Sequence, residues 1–464
     1  MKIMHYFLGF PPLHGGGLMV YVRDLSFCLK NMGHDVYLLM PGPYRFHSKR
    51  SYIKFYKQYY DIPIYYIINP LAVSFDGFKE PKYFMEEKSK NNYEDFFRKI
   101  DIDLLHIHSL IGLPYELVKA AKKLGIKVVY TTHDYFGLCP KINFYRTDNS
   151  DCLEDYSISN CSLCNSQVKG TFRKKITRNF LFLIENKKIF NYLVKVKRTF
   201  SRKPAQIKDS EYYFLRKENI NHSVNSYIEW LEYEKRIINE FDYIIFNSNT
   251  TKEVYSSFID LKCNRYEIIN VSNCSIKDNR NVINYKPVID GKVILSFLSG
   301  TAEIKGFNSL IKVFNEIKDN YDNWELHIYG TDEKIELNNK NIKFMGKFDH
   351  KELVNIMEKS SVILLPSKGH ETFGMVGSES ISYGVPVLIS DKVGLRDIIK
   401  HNYNGFIVKD DKNDKYLKEQ IIKILENPNI LLDIHYNILK MSFNFDMTTH
   451  VEKIINVYKK LLGV

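Results

Sequence analysis

Two stretches of this chain repeat one unit, a short and wholly apolar run followed by an amphipathic run. In the first stretch KIMHYFLGF leads into GGLMVYVRDLSFCLKNMG and HDVYLLM, and DIDLLHIHSL leads into PYELVKAAKKLG and IKVVYTTHD. Runs that are apolar at almost every position fit strands covered on both faces. Such strands alternating with helices form parallel βαβ units, because a crossover helix must return the chain to the same edge. Gly33 and Gly125 stand where a helix end favours glycine. The rhythm breaks between about 135 and 235, then FDYIIFNS reads as one more strand of the first unit. After NYKPVIDGK a second series begins: VILSFLSG, FNSLIKVFNEIKDN, WELHIYG, IKFMG, HKELVNIMEKS, VILLPS, a helix through 375–383, VPVLIS and GFIVKD. A chain of 464 residues exceeds one ordinary core. The expected fold class is α/β, with two Rossmann-like domains facing a central cleft. These are 1–275, carrying a Cys-containing basic insertion at about 135–235, and 276–445. The ligand is expected where the cleft faces the carboxyl ends of both sheets.

Composition removes several classes. With 44% hydrophobic and 26% charged residues the chain reads as globular, and no run of about 18 apolar residues suggests a membrane-spanning helix. The opening MKIMHYFLGFPP has one lysine and a short apolar run that stops at prolines. It reads as a strand rather than a signal peptide, so a cytoplasmic protein is expected, with its seven cysteines reduced or bound to metal. The net charge of +12 is almost entirely local, because residues 169–203 hold twelve Lys or Arg against one Glu. A nucleic-acid-coating protein would spread its charge, and no nucleic-acid-binding module accompanies the run. Its apolar clusters FLFLI and IFNYLV point to an anionic membrane surface, with a solvated charged face as the plain alternative.

The stretch HETFGMVGSE at 370–379 follows the strand VILLPS, so Ser367 to Thr372 form a loop at a carboxyl strand end. Phe373 and Gly374 then open a helix whose unpaired N–H groups and positive dipole end suit a diphosphate. Glu371 lies in the loop and Glu379 about two turns into the helix. The pattern Pro366, Ser367, Glu371, Phe373, Gly374, Glu379, Gly384, Pro386, Val387 resembles the retaining family 4 glycosyltransferases of the GT-B fold, group 1 type. The resemblance continues through Gly394, Asp397 and NGF at 404–406, covers the second domain well, and covers the first more loosely. It implies Glu371 at the donor sugar, Glu379 on the ribose, and Phe373, Gly374, Met375 and Val376 along the diphosphate. In SGTAEIKGF it implies Gly300 at the donor and Lys305 on the diphosphate. The family's usual arginine nearby is absent, with Thr301, Ala302 and Glu303 in its place. Gly16 and Gly17 of PPLHGGGLMVYV would border donor and acceptor, and His133 of TTHDYF would touch the sugar. His106 and His108 read as mainly structural, with His108 placed near the cleft. The resemblance also implies a final helix, 446–464, crossing back to the first domain.

Cys139, Cys152, Cys161 and Cys164 form C-x12-C-x8-C-x2-C. Four thiolates make a closed tetrahedral zinc site, so structural zinc is the expectation, with an iron–sulfur cluster or free cysteines as alternatives. No catalytic metal is expected, because fixed dipoles and a lysine can stabilise a leaving diphosphate. Cys28, Cys263 and Cys274 read as ordinary core or surface residues.

The expected function is a retaining hexosyl transfer from a UDP- or GDP-sugar to a hydroxyl of a lipid-linked or saccharide acceptor. The expected catalytic set is Glu371, His133 and Lys305. The expected setting is bacterial surface polysaccharide assembly at the inner membrane face. The competing readings are a non-catalytic membrane-associated scaffold and a sugar-nucleotide epimerase of the same fold.

Overall fold

The computed structural model describes residues 1–88, 91–183, 217–261, 265–333 and 335–464. Its strands are β1 (Lys2–Tyr6), β2 (Asp35–Pro41), β3 (Tyr52–Tyr59), β4 (Ile62–Ile68), β5 (Leu104–Ile107), β6 (Lys127–Thr132), β7 (Tyr243–Phe246) and β8 (Tyr266–Ile268), forming one sheet in the order β3-β4-β2-β1-β5-β6-β7-β8. A second sheet, ordered β11-β10-β9-β12-β13-β14, holds β9 (Val293–Phe297), β10 (Trp324–Tyr329), β11 (Ile342–Gly346), β12 (Val362–Leu365), β13 (Val387–Ser390) and β14 (Phe406–Val408). Every pairing is parallel except β3 with β4. The strand order reverses beside β1 and β5 in one sheet and beside β9 and β12 in the other, so crevices open at these points.

The β3–β4 hairpin departs from the alternating pattern and was not visible in the apolar runs. Lys54 and Phe55 on β3 are exposed, so this edge strand offers no continuous apolar signal. Its turn residues Tyr60 and Asp61 have φ of 46° and 60°, the left-handed pair that a two-residue hairpin of right-handed twist requires. A second difference concerns the broken stretch before β7. Within it, Lys217–Asn239 is a helix whose Tyr227, Trp230 and Ile237 are fully buried against Phe78, Phe84 and Phe136. The helix belongs to the first lobe's core and completes the crossover from β6 to β7.

Helices that position the cleft are α1 (Gly17–Asn31), α2 (Ser159–Cys164), α3 (Thr171–Leu183), α4 (Asn249–Ser256), α5 (Met375–Ser382) and α6 (Met447–Leu462). The last packs on α1 of the first lobe. Two buried polar contacts fix it there: Tyr21 Oη to His450 Nε2 at 2.9 Å, and His106 Nδ1 to Tyr458 Oη at 2.5 Å.

Candidate functional site

The cleft contains a cavity of about 830 Å³ between the carboxyl ends of the two sheets. Loops after β1, β6, β9 and β12 line it, and so do the first residues of α5. Glu371, Lys305, His133, Gly16, Gly17, Phe373, Gly374, Met375, Val376 and Glu379 all face this one space. Gly300 does not. Its N–H donates to the Tyr329 carbonyl at 2.8 Å and its left-handed backbone packs on Gly330, while the adjacent Ser299 lines the cavity.

The β12–α5 loop is built for close backbone approach. Gly374 begins α5 with φ of 103°, and a side chain there would collide with Val393. Met375 and Val376, the first two residues of α5, line the cavity at the helix end whose leading N–H groups lack intrahelical partners. Gly17 faces Met375 across the gap, where an added Cβ would lie 3.6 Å from the Met375 methyl. Lys305 ends the short turn Glu303–Lys305, and Gly306 follows at φ 90°, where a side chain would strike the Pro366 carbonyl. The Ile304 carbonyl accepts from Lys368 N at 2.9 Å, so the lysine loop and the β12 loop are laced together. This places Lys305 Nζ 2.9 Å from Glu371 Oε2, while Ser367 Oγ donates to Glu371 Oε1. Glu379 is buried. Its Oε1 accepts from Asn273 Nδ2 at 3.2 Å and Ser275 Oγ at 3.0 Å. Burial raises its pKa, opposed by the Asn273 bond, the nearby His350 and Ser275.

The first lobe grips the same loop. Thr372 Oγ1 donates to the His133 carbonyl at 3.0 Å, and the Thr372 carbonyl accepts from Ser248 Oγ at 2.7 Å and Thr251 Oγ1 at 3.0 Å. Asn143 O accepts from His370 N at 2.9 Å, and Asp151 lies 3.0 Å from both His370 Nε2 and Lys392 Nζ. Burial would raise the Asp151 carboxyl, but the His370 hydrogen bond and the Lys392 charge hold it at about 2. The sequence gives no sign of the Asp151, His370 and Lys392 cluster, because Asp151 lies 219 residues or more from the other two. Asp134 was likewise passed over, although it lines the cavity beside His133. Its carboxylate accepts from Phe136 N at 2.8 Å and Ser109 Oγ at 3.2 Å, yet burial outweighs both and lifts it to about 6.

The four cysteines meet at one small void of about 20 Å³, next to Arg146 and Asn165. Burial pushes the thiols of Cys139, Cys152 and Cys161 up, the first to about 11. Among the described residues only His5, His106 and His108 bring three ligand atoms within 4.8 Å of one another. The thiols therefore surround the void more loosely than a bound ion would hold them. Cys152 adjoins Asp151, which ties the cysteine cluster to the loop grip. Of the other three, Cys28 is half-buried, Cys274 is exposed, and Cys263 lies outside the described residues.

Asp134 supplies a pH test. Its folded pKa of about 6 exceeds the ordinary 3.8, so its stabilising contribution is complete below pH 3.8 and is lost as pH rises through 6. Relative to wild type, Asp134→Asn should remove that fall in unfolding free energy between pH 4 and 6 in denaturant titrations. An unchanged difference across that window would contradict the assignment.

The model of the glycosyl transferases group 1 matches residues 279–441, and that of Glycosyltransferase Family 4 matches 15–155. An uncharacterized glycosyltransferase of Haemophilus influenzae is 27% identical over 38% of this chain and 50% of its own length. Spore coat protein SA of Bacillus subtilis is 24% identical over 45% of this chain and 59% of its own. The chain thus spans about half the length of the relatives it matches. Among solved structures, sucrose-phosphate synthase from Thermosynechococcus elongatus aligns over 100% of this chain and 99% of its own, with TM-score 0.57 and 15% identity. Anabaena HepE in complex with UDP-glucose aligns over 99% and 100%, with TM-score 0.57 and 13% identity. Each lobe thus matches a glycosyltransferase family model, Family 4 on the first and group 1 on the second, and the two-lobe architecture is the GT-B fold.

Proposed function

We propose that the protein is a retaining glycosyltransferase that moves a sugar from a nucleotide-sugar donor to a hydroxyl acceptor. What carries this reading is the convergence of Lys305, Glu371, the opening of α5 and Glu379 on one cavity between the two sheets. A diphosphate at the α5 N-terminus would meet unpaired N–H groups and the positive dipole end. Lys305 would then offset the charge that develops as the nucleoside diphosphate leaves, a role for a mobile point charge. Glu371 keeps Lys305 aimed into the cavity before the donor arrives and takes the sugar hydroxyls afterwards. Glu379 accepts the ribose hydroxyls. Transfer proceeds with attack on the face the leaving group departs from, the donor phosphate accepting the acceptor's proton. A UDP- or GDP-sugar fits the site, and no catalytic metal is needed in this scheme.

A lipid-linked acceptor in surface polysaccharide synthesis, at the inner membrane face, is the setting we favour. The supporting observation is the inside-out character of α3. Phe172, Ile176, Phe180 and Leu183 recur at helical spacing and are 65%, 47%, 49% and 82% exposed. Its inward side carries Arg178 and Lys174 beside Phe182, which packs on Tyr56 and Tyr66. Arg178 donates to the carbonyls of Pro41 and Gly42, and Lys174 is held by Asp76, Ser74 and the Gly77 carbonyl. These two cations of the basic run are thus spent inside the protein. Taking one large apolar side chain out of water contributes about 1.5–3 kcal/mol, against about 1 kcal/mol for a cation near headgroups. In the described half of the run, the apolar stripe is the stronger part of the membrane contact. The remainder of the run, 184–203, lies outside the described residues.

We also propose structural zinc at Cys139, Cys152, Cys161 and Cys164. Four thiols line one void, and drawing them together on the ion would brace the segment carrying Asp151 against the second lobe.

Three measurements test these readings. With its acceptor, or a membrane lipid extract, and the matching sugar nucleotide from a panel, wild type should release nucleoside diphosphate. Glu371→Gln should lower kcat about 100-fold or more while retaining the wild-type melting temperature. No release with any donor, or an unaffected variant, would refute the site. Phe172→Asp/Phe180→Asp should sediment less with vesicles rich in anionic lipid, and equal binding would remove the membrane claim. Elemental analysis of protein purified without metal-affinity steps should find about one zinc per chain, lost in Cys161→Ser/Cys164→Ser. Metal-free wild type would retire the zinc.

A further inference from the structure

Behind the cavity the first sheet carries an unbroken file of imidazoles. His5 on β1 and His106 on β5 are register partners, and His108 lies two residues beyond His106, so all three project from the same face. His5 Nδ1 lies 2.9 Å from His108 Nε2, and His108 Nδ1 lies 3.3 Å from His133 Nε2. At the inner end, His5 Nε2 is buried and has no partner. At the outer end His133 faces the cavity, and among the described residues its Nδ1 takes no protein partner. His106 stands aside, with its nitrogens on the hydroxyls of Tyr458 and Thr131 at 2.5 and 2.7 Å; hydroxyls adapt to either tautomer.

Burial lowers the pKa of all three members of the file, His5 and His133 to about 3, so each is neutral and holds one ring proton. Two nitrogen–nitrogen bonds among three neutral imidazoles leave only two consistent proton arrangements. In one, every proton sits on Nδ1 and the bare lone pair is left at His5 Nε2. In the other, every proton sits on Nε2 and His5 buries an N–H that has nothing to donate to. Orphaned buried donors are the rarer defect.

We propose that His5 and His108 are positioning residues that lock His133 as its Nδ1–H tautomer. The chain runs His5 Nδ1–H to His108 Nε2, then His108 Nδ1–H to His133 Nε2. His133 then gives the cavity one fixed, uncharged N–H donor. Its partner is an oxygen of the nucleotide sugar, and this last clause rests on the function proposed above. The tautomer itself does not.

The test is ring ¹⁵N NMR of the full-length protein with labelled histidine, each ring assigned by single substitution. All three rings should show protonated Nδ1 and bare Nε2, the reverse of the form preferred by a free imidazole. His5→Phe should release His133 to the Nε2–H form or to an average, and lower kcat about 10- to 100-fold, the scale seen when an oriented histidine loses its partner. The donor KM should stay within about threefold if only the orientation of a transition-state contact is lost. His5→Asn, whose Nδ2 can donate in place of the imidazole, should restore both tautomer and rate. Wild-type His133 in the Nε2–H form, or a tautomer unmoved by His5→Phe, would overturn the proposal. If the tautomers agree but no sugar is transferred, it is the functional reading that fails.

Discussion

The Thr372 peptide is the hinge on which this architecture turns. Its carbonyl takes two hydroxyls from the start of α4 and its own hydroxyl reaches the His133 carbonyl, so a loop of the second sheet is finished by the first. Gly394 lies so close that a side chain there would strike both the Thr372 carbonyl and Ser248. Glu371 and Phe373 flank this peptide. Whatever fixes Thr372 therefore also fixes the loop carboxylate and the opening of α5.

Charge is arranged around that hinge in two ways. On the open side, Lys305 and Glu371 pair at 2.9 Å and remain part-exposed, so the pair can separate when an anion arrives without leaving a buried charge behind. On the closed side, Asp151, Lys392, Asp410, Lys368 and Asp414 form a compact, largely buried run of alternating signs. Breaking any one member would strand a charge, which makes this side the rigid wall of the cleft. The usual family arginine is missing from the segment before Lys305, but Arg23 of α1 lines the same cavity. Its guanidinium is paired with the buried Asp24 at 2.7 Å.

Local features were legible in the sequence. The β12 strand, its loop and α5 are contiguous, so Glu371, Gly374 and Glu379 could be placed by spacing alone. Residues whose role depends on a distant partner could not. Asp151 is one more loop aspartate until folding brings it to His370, and Asp134 becomes notable only once its burial is known. His106 and His108 read as mainly structural, with His108 near the cleft; the file from His5 through His108 to His133 appears only when β1 sets His5 beside them. The run 169–203 was read by composition, and composition cannot say which side of a helix points inward. In α3 Lys174 and Arg178 go in, while Phe172 and Phe180 stay out.

The central claim is that the loop shared by both lobes is the nucleotide-sugar site. Hydrogen–deuterium exchange of the full chain, with and without a bound nucleotide sugar, addresses it most directly. Slowed exchange should concentrate at 371–379 and 299–306, with a smaller effect at 14–19. Binding that leaves 371–379 unprotected while slowing exchange elsewhere would contradict the account.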